Sequence, residues 1–232
     1  METTEFKSTE MKALWNRTTK SVFTGVLVYS IAGIVHTVLG PIADLADGFS
    51  FMAMMGGVDS SSMDGVSNMD NLAIVAIIVG YFLFLQGLKG FSGILNSQDG
   101  AQVKKIRNGV ILGIVAAGLD FIPLMGIVSG IVNIIAFIIM LMAYSALKNS
   151  ATFPPQARRG AGTLFTSQIL IIIGVVLGWI PLIGGLFEFI LSGIAYILVL
   201  VGWSTIKKAN PEAGTTRPGE YPPYRNDNFN GT

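Results

Sequence analysis

The positions of the fifteen lysine and arginine residues constrain this chain more than any other feature. Six apolar stretches divide the sequence, namely 21–40, 72–95, 108–122, 124–147, 163–180 and 182–206. Every basic residue precedes the first stretch, lies in the last turns of the second (Lys89), or lies beyond the end of the second, fourth or sixth. They are Lys7, Lys12, Arg17, Lys20, Lys89, Lys104, Lys105, Arg107, Lys148, Arg158, Arg159, Lys207, Lys208, Arg217 and Arg225. Because Lys and Arg concentrate in cytoplasmic segments, the alternation predicts six membrane crossings with both termini cytoplasmic.

Composition leads to the same class. The chain is 51% apolar and 12% charged, with a mean hydropathy of +0.62, whereas soluble domains carry about 25% charged residues. Backbone groups must be paired in lipid, and the continuous apolar runs favour helices over a barrel. We therefore predict an all-α membrane protein with six transmembrane helices. Its basic loops are short and scattered, so we expect the lipid bilayer, and no nucleic acid, as their partner.

An internal repeat organises the apolar stretches into three tandem helical hairpins. The segment Phe121-Ile-Pro-Leu-Met-Gly126 recurs as Trp179-Ile-Pro-Leu-Ile-Gly184, and Ser145-Ala-Leu-Lys148 recurs as Ser204-Thr-Ile-Lys207. Lys89 lies 59 residues before Lys148, just as Lys148 lies 59 residues before Lys207, and Pro41 is expected at the matching turn of the first hairpin. Proline suits the start of a returning helix. The repeats are parallel, whereas inverted repeats are commoner in alternating-access transporters.

The repeat sets the predicted segment boundaries. Residues 1–20 form a cytoplasmic N-terminal segment, either an interfacial helix or a disordered tail. Then come hairpin 1 (21–95), hairpin 2 (106–148), hairpin 3 (161–208) and a flexible cytoplasmic tail (209–232). Hairpin 1 carries a long acidic, methionine-rich segment at 43–71, predicted to be an external loop. Loops beyond about 12–15 residues are uncommon unless functional or disordered, so we expect this one to contact partners.

The residues expected to make that contact are Phe49, Phe51, Met52, Met54 and Met55. Methionine adapts well to partner or membrane surfaces. The alternative is a Cu(I) site, since thioethers are soft ligands, with Met63 and Met69 as further donors. Partner or membrane contact is the preferred interpretation. With no cysteine in the chain, disulfides and thiolate sites are excluded.

Three ionisable residues inside the apolar stretches are candidate site residues. His36, Asp120 and Glu188 all lie within a few turns of the predicted outer turns, so they could converge in a polar pocket for protons or a divalent cation. The alternative is that each is a surface or hydrogen-bonded residue without a joint role. The mid-span amides Asn133 and Gln168 are expected to bond between helices, and Gly126-xxx-Gly130 is a helix-association pattern.

The Ile-Pro-x-x-Gly turns, each followed by an apolar helix ending in Ser-x-Leu/Ile-Lys, carry a family resemblance across residues 106–208. This part of the chain resembles uncharacterised prokaryotic multi-pass membrane proteins. The resemblance implies a bacterial or archaeal cytoplasmic membrane and brings no activity with it.

The function expected from these features is structural. No nucleophile–base pair, phosphate loop or metal-ligand motif is present, so we expect no enzyme activity, cofactor or metal. We expect an accessory or scaffold subunit of a membrane complex, or a homo-oligomer. The alternative is a small proton or cation channel or transporter that uses the outer acidic residues.

Overall fold

The fold is described from a computed structural model of the chain. It describes the backbone of residues 2–56, 64–120, 122, 124–178, 180 and 184–213. Side chains are described for residues 9–36, 69, 72–119, 122, 124–178, 180, 185–187 and 189–213.

Six α-helices make up nearly all of the described chain. They are α1 (Glu2–Gly56), α2 (Asp64–Ile94), α3 (Ser97–Asp120), α4 (Gly126–Asn149), α5 (Pro155–Gly178) and α6 (Gly184–Lys207), followed by a short 3₁₀ turn at Pro211–Ala213. No strand occurs in the residues described. The predicted all-helical class is confirmed.

Five helices, rather than the six predicted, are long and apolar enough to cross a membrane within the described ranges. The candidate spans are Thr9–His36, Leu72–Ile94, Gly126–Asn149, Pro155–Gly178 and Gly185–Lys207. Helix α3 is not among them, because its first half carries Lys104, Lys105 and Arg107. Its apolar part, 108–119, extends for only about 18 Å at 1.5 Å per residue, short of the roughly 30 Å hydrocarbon core.

Helix α1 is much longer than predicted. It runs for 55 residues, so it includes most of the N-terminal segment 1–20 and continues through Pro41 to Gly56. The predicted turn at Pro41 is therefore wrong. Proline is tolerated within membrane helices, and the Ile-Ala-Asp-Leu-Ala run that follows consists mainly of helix-forming residues. The predicted loop 43–71 is helical at 43–56 and 64–71, and residues 57–63 lie outside the description.

The two Ile-Pro-x-x-Gly segments do separate successive helices, as predicted. Helices α4 and α6 begin at the final glycines of the two motifs, Gly126 and Gly184. In the first turn, the Met125 N–H donates to the Ile122 carbonyl at 3.1 Å. Leu124 adopts a left-handed φ of 70° and is 99% exposed. This conformation costs a non-glycine residue about 1–2 kcal/mol.

The chain divides into two compact units, residues 1–23 with 85–232 and residues 24–84. In the smaller unit, α1 and α2 pack through glycines. A Cβ added to Gly25 would lie 2.3 Å from the Phe84 nitrogen, and one added to Gly80 would lie 2.5 Å from the Tyr29 nitrogen. The rings of Tyr29 and Tyr81 stack at 4.8 Å. Only glycine permits so close an approach of two backbones.

The core of the larger unit lies at the end where α2, α4 and α6 finish. The residues that precede the repeated lysines, Leu88, Leu147 and Ile206, are each at most 1% exposed. Helices α5 and α6 cross closely here, because a Cβ on Gly160 would lie 2.6 Å from the Gly202 carbonyl oxygen. Farther along α4, apolar side chains are open, with Ile127 79% exposed. We call the end of the larger unit that carries Lys89, Lys148 and Lys207 its basic end. Buried side chains fill this end, whereas farther along α4 presents an apolar surface.

Candidate functional site

Two short linkers meet beside Asp99, at the basic end of the larger unit. Residues Leu95 and Asn96 connect α2 to α3, and residues 150–154 connect α4 to α5. Asn96 caps α3, since its Oδ1 accepts the Asp99 N–H at 2.8 Å. Pro155 occupies the first position of α5, where a missing N–H costs nothing. The linkers are thus defined by local helix-start signals.

Asp99 joins these linkers through its side chain, which is 1% exposed. Its Oδ1 accepts the Ser150 hydroxyl at 2.6 Å, and its Oδ2 accepts the Thr152 hydroxyl at 2.7 Å and the Asn96 amide at 2.8 Å. The Asn96 amide also donates to the Thr152 hydroxyl oxygen at 2.9 Å, and the Phe153 N–H donates to the Ser150 hydroxyl oxygen at 3.3 Å. We call Asn96, Asp99, Ser150 and Thr152 the Asp99 cluster. The three donors compensate the carboxyl group for its removal from water.

Four aromatic rings pack beside the Asp99 cluster. Trp15 meets Phe91 edge-on at 5.0 Å and lies 6.2 Å from Phe153. Phe91 in turn lies 6.4 Å from both Phe153 and Trp203. These side chains come from α1, α2, the α4–α5 linker and α6, so they join distant parts of the sequence in one apolar cluster.

The N-terminal helix is tied to the end of α6 at this cluster. The Trp15 indole N–H donates to the Ile206 carbonyl at 3.2 Å, 191 residues away in sequence. Lys12 and Glu212 form an ion pair at 2.8 Å, but both side chains are over one-third exposed, so it adds little stability. The indole bond and ring packing therefore hold α1 in place.

The Asp99 cluster has the contacts of a structural tie between the two linkers. The carboxylate oxygens are occupied by hydroxyl and amide donors. The adjoining pocket, bordered by Trp15, Asp99 and Pro211, is close to the size of one water molecule and holds no substrate-sized space. This cluster was not predicted from the sequence. The available signal was Asn96-Ser-Gln-Asp99, whose spacing matches a helix-capping box.

Two of the three lysines at the helix ends lie over aromatic rings of another helix. The Lys148 Nζ lies 4.0 Å from the centroid of Phe165 on α5, and the Lys207 Nζ lies 5.0 Å from that of Phe23 on α1. A cation over a ring face at this distance is attracted to its negative face. The long lysine stems also cover apolar surface while the charge stays near water. Lys89, the third, is exposed.

The proposed polar pocket is only partly visible. His36 lies half-buried on α1 in the smaller unit. Asp120 is the last residue of α3, and Glu188 lies in the first turns of α6. The side chains of Asp120 and Glu188 fall outside the described residues, so their contacts are not described and the pocket stays a prediction. The amides differ, since Gln168 is buried and Asn133 is exposed.

The predicted contact residues of segment 43–71 have described backbones only. Phe49, Phe51, Met52, Met54 and Met55 all lie in the final part of α1, and their side chains lie outside the described residues. Among the described side chains, no three His, Cys, Asp or Glu residues are grouped so as to hold a metal ion.

The five apolar helices have the length and composition of membrane spans, which makes a multi-helix membrane protein the class that fits this chain. Comparison with protein families, curated proteins and solved structures finds no match.

Proposed function

We propose that this chain is a non-enzymatic integral membrane protein that acts as a scaffold or accessory subunit, in a homo-oligomer or a larger membrane complex. The distribution of burial supports this proposal. The basic end of the larger unit is closed by the Asp99 cluster and the aromatic rings, whereas α4 exposes apolar and small residues along its length. A rigid base with open helical faces suits association within the membrane.

Helix α3 crosses the membrane as a short sixth span in this proposal. A Cβ on Gly109 would meet Met140, and farther along α3 the Ala116 carbonyl accepts the Ser129 hydroxyl at 2.9 Å. As α3 advances its partner position on α4 recedes, so the two helices are antiparallel. Its charged first half then lies at the headgroups and its apolar half lies in the bilayer. Six crossings keep both termini on one side, which the basic residues assign to the cytoplasm of a bacterial or archaeal cell.

The burial pattern also supports three tandem hairpins as the architecture. The positions before Lys89, Lys148 and Lys207 are equally buried. The pairs Val103 with Ala161 and Ile106 with Leu164, each 58 residues apart, are also at most 1% exposed. Equivalent burial at repeat-related positions is expected when each unit packs its neighbours in the same way.

The face of α4 formed by Gly126, Gly130 and Asn133 is the proposed association surface. These positions are spaced by four and three residues, so they share one side of the helix. All three are exposed, and a Cβ added to either glycine would meet nothing within 4 Å in the described structure. Small residues permit close helix approach, and an amide in lipid gains by bonding to another helix. The final part of α1, with Phe49 and Met52, is the second proposed contact.

Native mass spectrometry of the protein extracted in mild detergent tests this proposal. We expect a defined oligomer or a fixed partner, and Gly130→Leu with Asn133→Leu should shift the assembly to smaller species. Gly118→Leu is the matched control, since Gly118 is equally open on α3 and should leave assembly unchanged. A protein that stays monomeric, alone and in native membranes, contradicts the scaffold.

Proton or cation flux in liposomes tests the alternative channel or transporter. A scaffold should show no flux above empty vesicles, and Glu188→Gln should assemble normally. Flux that Glu188→Gln abolishes would replace the scaffold proposal with transport through the pocket of His36, Asp120 and Glu188.

A further inference from the structure

Two lysine–phenylalanine pairs follow one rule in the larger unit. Lys148 ends hairpin 2 and lies over Phe165 on the first helix of hairpin 3. Lys207 ends hairpin 3 and lies over Phe23 on the first helix of hairpin 1. In both, the lysine of one hairpin covers the ring of the next, and the second pair returns to the start of the chain.

The third junction, between hairpins 1 and 2, lacks the phenylalanine found at the other two. Lys89 is the lysine of hairpin 1, 59 residues before Lys148. Arg107 lies 58 residues before Phe165. The same spacing separates the buried residues Ile106 on α3 and Leu164 on α5. In the register of the repeat, a guanidinium therefore takes the place of the aromatic ring, and two cations stand at the positions that elsewhere hold a cation and a ring.

The exposure of these side chains agrees with that replacement. Lys148 and Lys207, which lie on rings, are half-buried, whereas Lys89 is exposed and Arg107 is half-buried. Lys104 and Lys105 lie one turn or less before Arg107 on α3.

Among the residues whose side chains are described, no acid pairs with this positive charge. Asp99 is the one acidic residue between Lys89 and Arg107 in sequence, and it is buried and bonded within its own cluster. Within the described structure neither Lys89 nor Arg107 forms an ion pair. Paired cations without a counter-charge repel each other unless an anion lies between them.

We propose that Lys89 and Arg107 bind the phosphate group of an anionic lipid at the junction of α2 and α3. A guanidinium binds phosphate oxygens through two parallel N–H bonds, and a lysine adds a mobile point charge. Basic sites between helices at the cytoplasmic surface select anionic headgroups. On α3, Ile111 and Ile114 lie beyond Arg107 and are exposed, so acyl-chain surface remains on the same helix. This inference rests on the membrane placement proposed above.

Lipid titration of the purified full-length protein, read by native mass spectrometry, tests the site. The probes are phosphatidylglycerol and the zwitterionic phosphatidylcholine. We expect a tight phosphatidylglycerol that Arg107→Phe weakens by about fivefold, the effect of one cation at an anionic surface, with phosphatidylcholine unchanged. Arg107→Phe also restores the ring found at the other junctions, so the folded chain should tolerate it.

Two further variants make the test specific. Lys208→Gln removes the same charge from an exposed position of the basic end and should change affinity by less than twofold. Phe165→Arg recreates the Lys–Arg pair at the second junction and should add one tight phosphatidylglycerol. If Arg107→Phe misfolds, Arg107→Lys should keep the preference for phosphatidylglycerol and Lys89→Gln should lose it.

Unchanged affinity in Arg107→Phe, or equal losses in Arg107→Phe and Lys208→Gln, would overturn the inference. Alkaline carbonate washing of native membranes separates the site from the proposed function. A wild-type chain released by the wash contradicts membrane insertion itself. A chain that is retained but shows no phosphatidylglycerol preference contradicts only the lipid site.

Discussion

Removing the Asp99 carboxylate should destabilise the protein more than any nearby exposed change. Asp99→Ala deletes three hydrogen bonds to a buried charged group, each worth about 1.5–3 kcal/mol. Part of that loss is recovered, because the Ser150 and Thr152 hydroxyls lie 3.1 Å apart and the Asn96 amide still reaches Thr152. We expect a net loss of about 3 kcal/mol.

Asp99→Asn should cost less, about 1 kcal/mol, because one amide oxygen still accepts and the hydroxyls are able to reverse direction. The measurement is reversible unfolding in mixed detergent micelles with increasing dodecyl sulfate, followed by circular dichroism. Gln98→Ala, at the exposed neighbouring position, is the control.

A double-mutant cycle tests whether the tie is the cause. Combining Asp99→Ala with Thr152→Val should cost less than the sum of the single changes, with a coupling of about 1 kcal/mol or more. The reasoning is refuted if Asp99→Ala stays within about 0.5 kcal/mol of the Gln98→Ala control, or if the two changes add without coupling.

Three further changes test other parts of the structure by the same unfolding measurement. Gly160→Val should destabilise by about 2 kcal/mol or more, because the new side chain meets the Gly202 carbonyl oxygen. Gly162→Val, with open space around it, should cost less than half as much. Equal losses of stability in the two variants would contradict the close crossing of α5 and α6. Leu124→Gly should stabilise by up to about 1 kcal/mol through relief of its positive φ, and Leu124→Ala should not; an equal effect of both would show that the backbone is unstrained. Phe165→Leu should lower the free energy of unfolding by about 0.5 kcal/mol, because the contact between Lys148 and the ring is lost. Adding Lys148→Gln to this variant should lower it further only by the packing of the lysine stem. If the effects of the two single changes simply add, the contact contributes nothing to stability.

The turn predictions show how far local sequence reasoning reaches. The Ile-Pro-x-x-Gly turns were predicted because proline, followed by glycine, interrupts two otherwise apolar runs, and helices α4 and α6 begin at those glycines. The same reasoning failed at Pro41, where no glycine follows closely and helix-forming residues do. A proline is a local signal, and its outcome depends on whether the next residues continue the helix.

The number of membrane-spanning helices was also predicted only in part. Apolar length identified five helices, because crossing a membrane depends on the composition of one continuous segment. Within the described residues helix α3 is not among the candidate spans, since its apolar part is short and its first half is charged. The contact of Ala116 with Ser129 places that short part against α4, and no count of apolar residues contains this information.

For the candidate site too, local sequence determines some features and long-range packing determines others. The sequence by itself determined the helical class, most of the spans and the distribution of basic residues, because these depend on neighbours within a few turns. Only the tertiary structure decided that Asp99 is a buried tie, since its partners Ser150 and Thr152 lie more than fifty residues away. Only the tertiary structure decided, likewise, that Lys148 and Lys207 lie on rings of other helices. Long-range packing selects among many chemically equivalent pairings, and a local pattern does not specify which one is made.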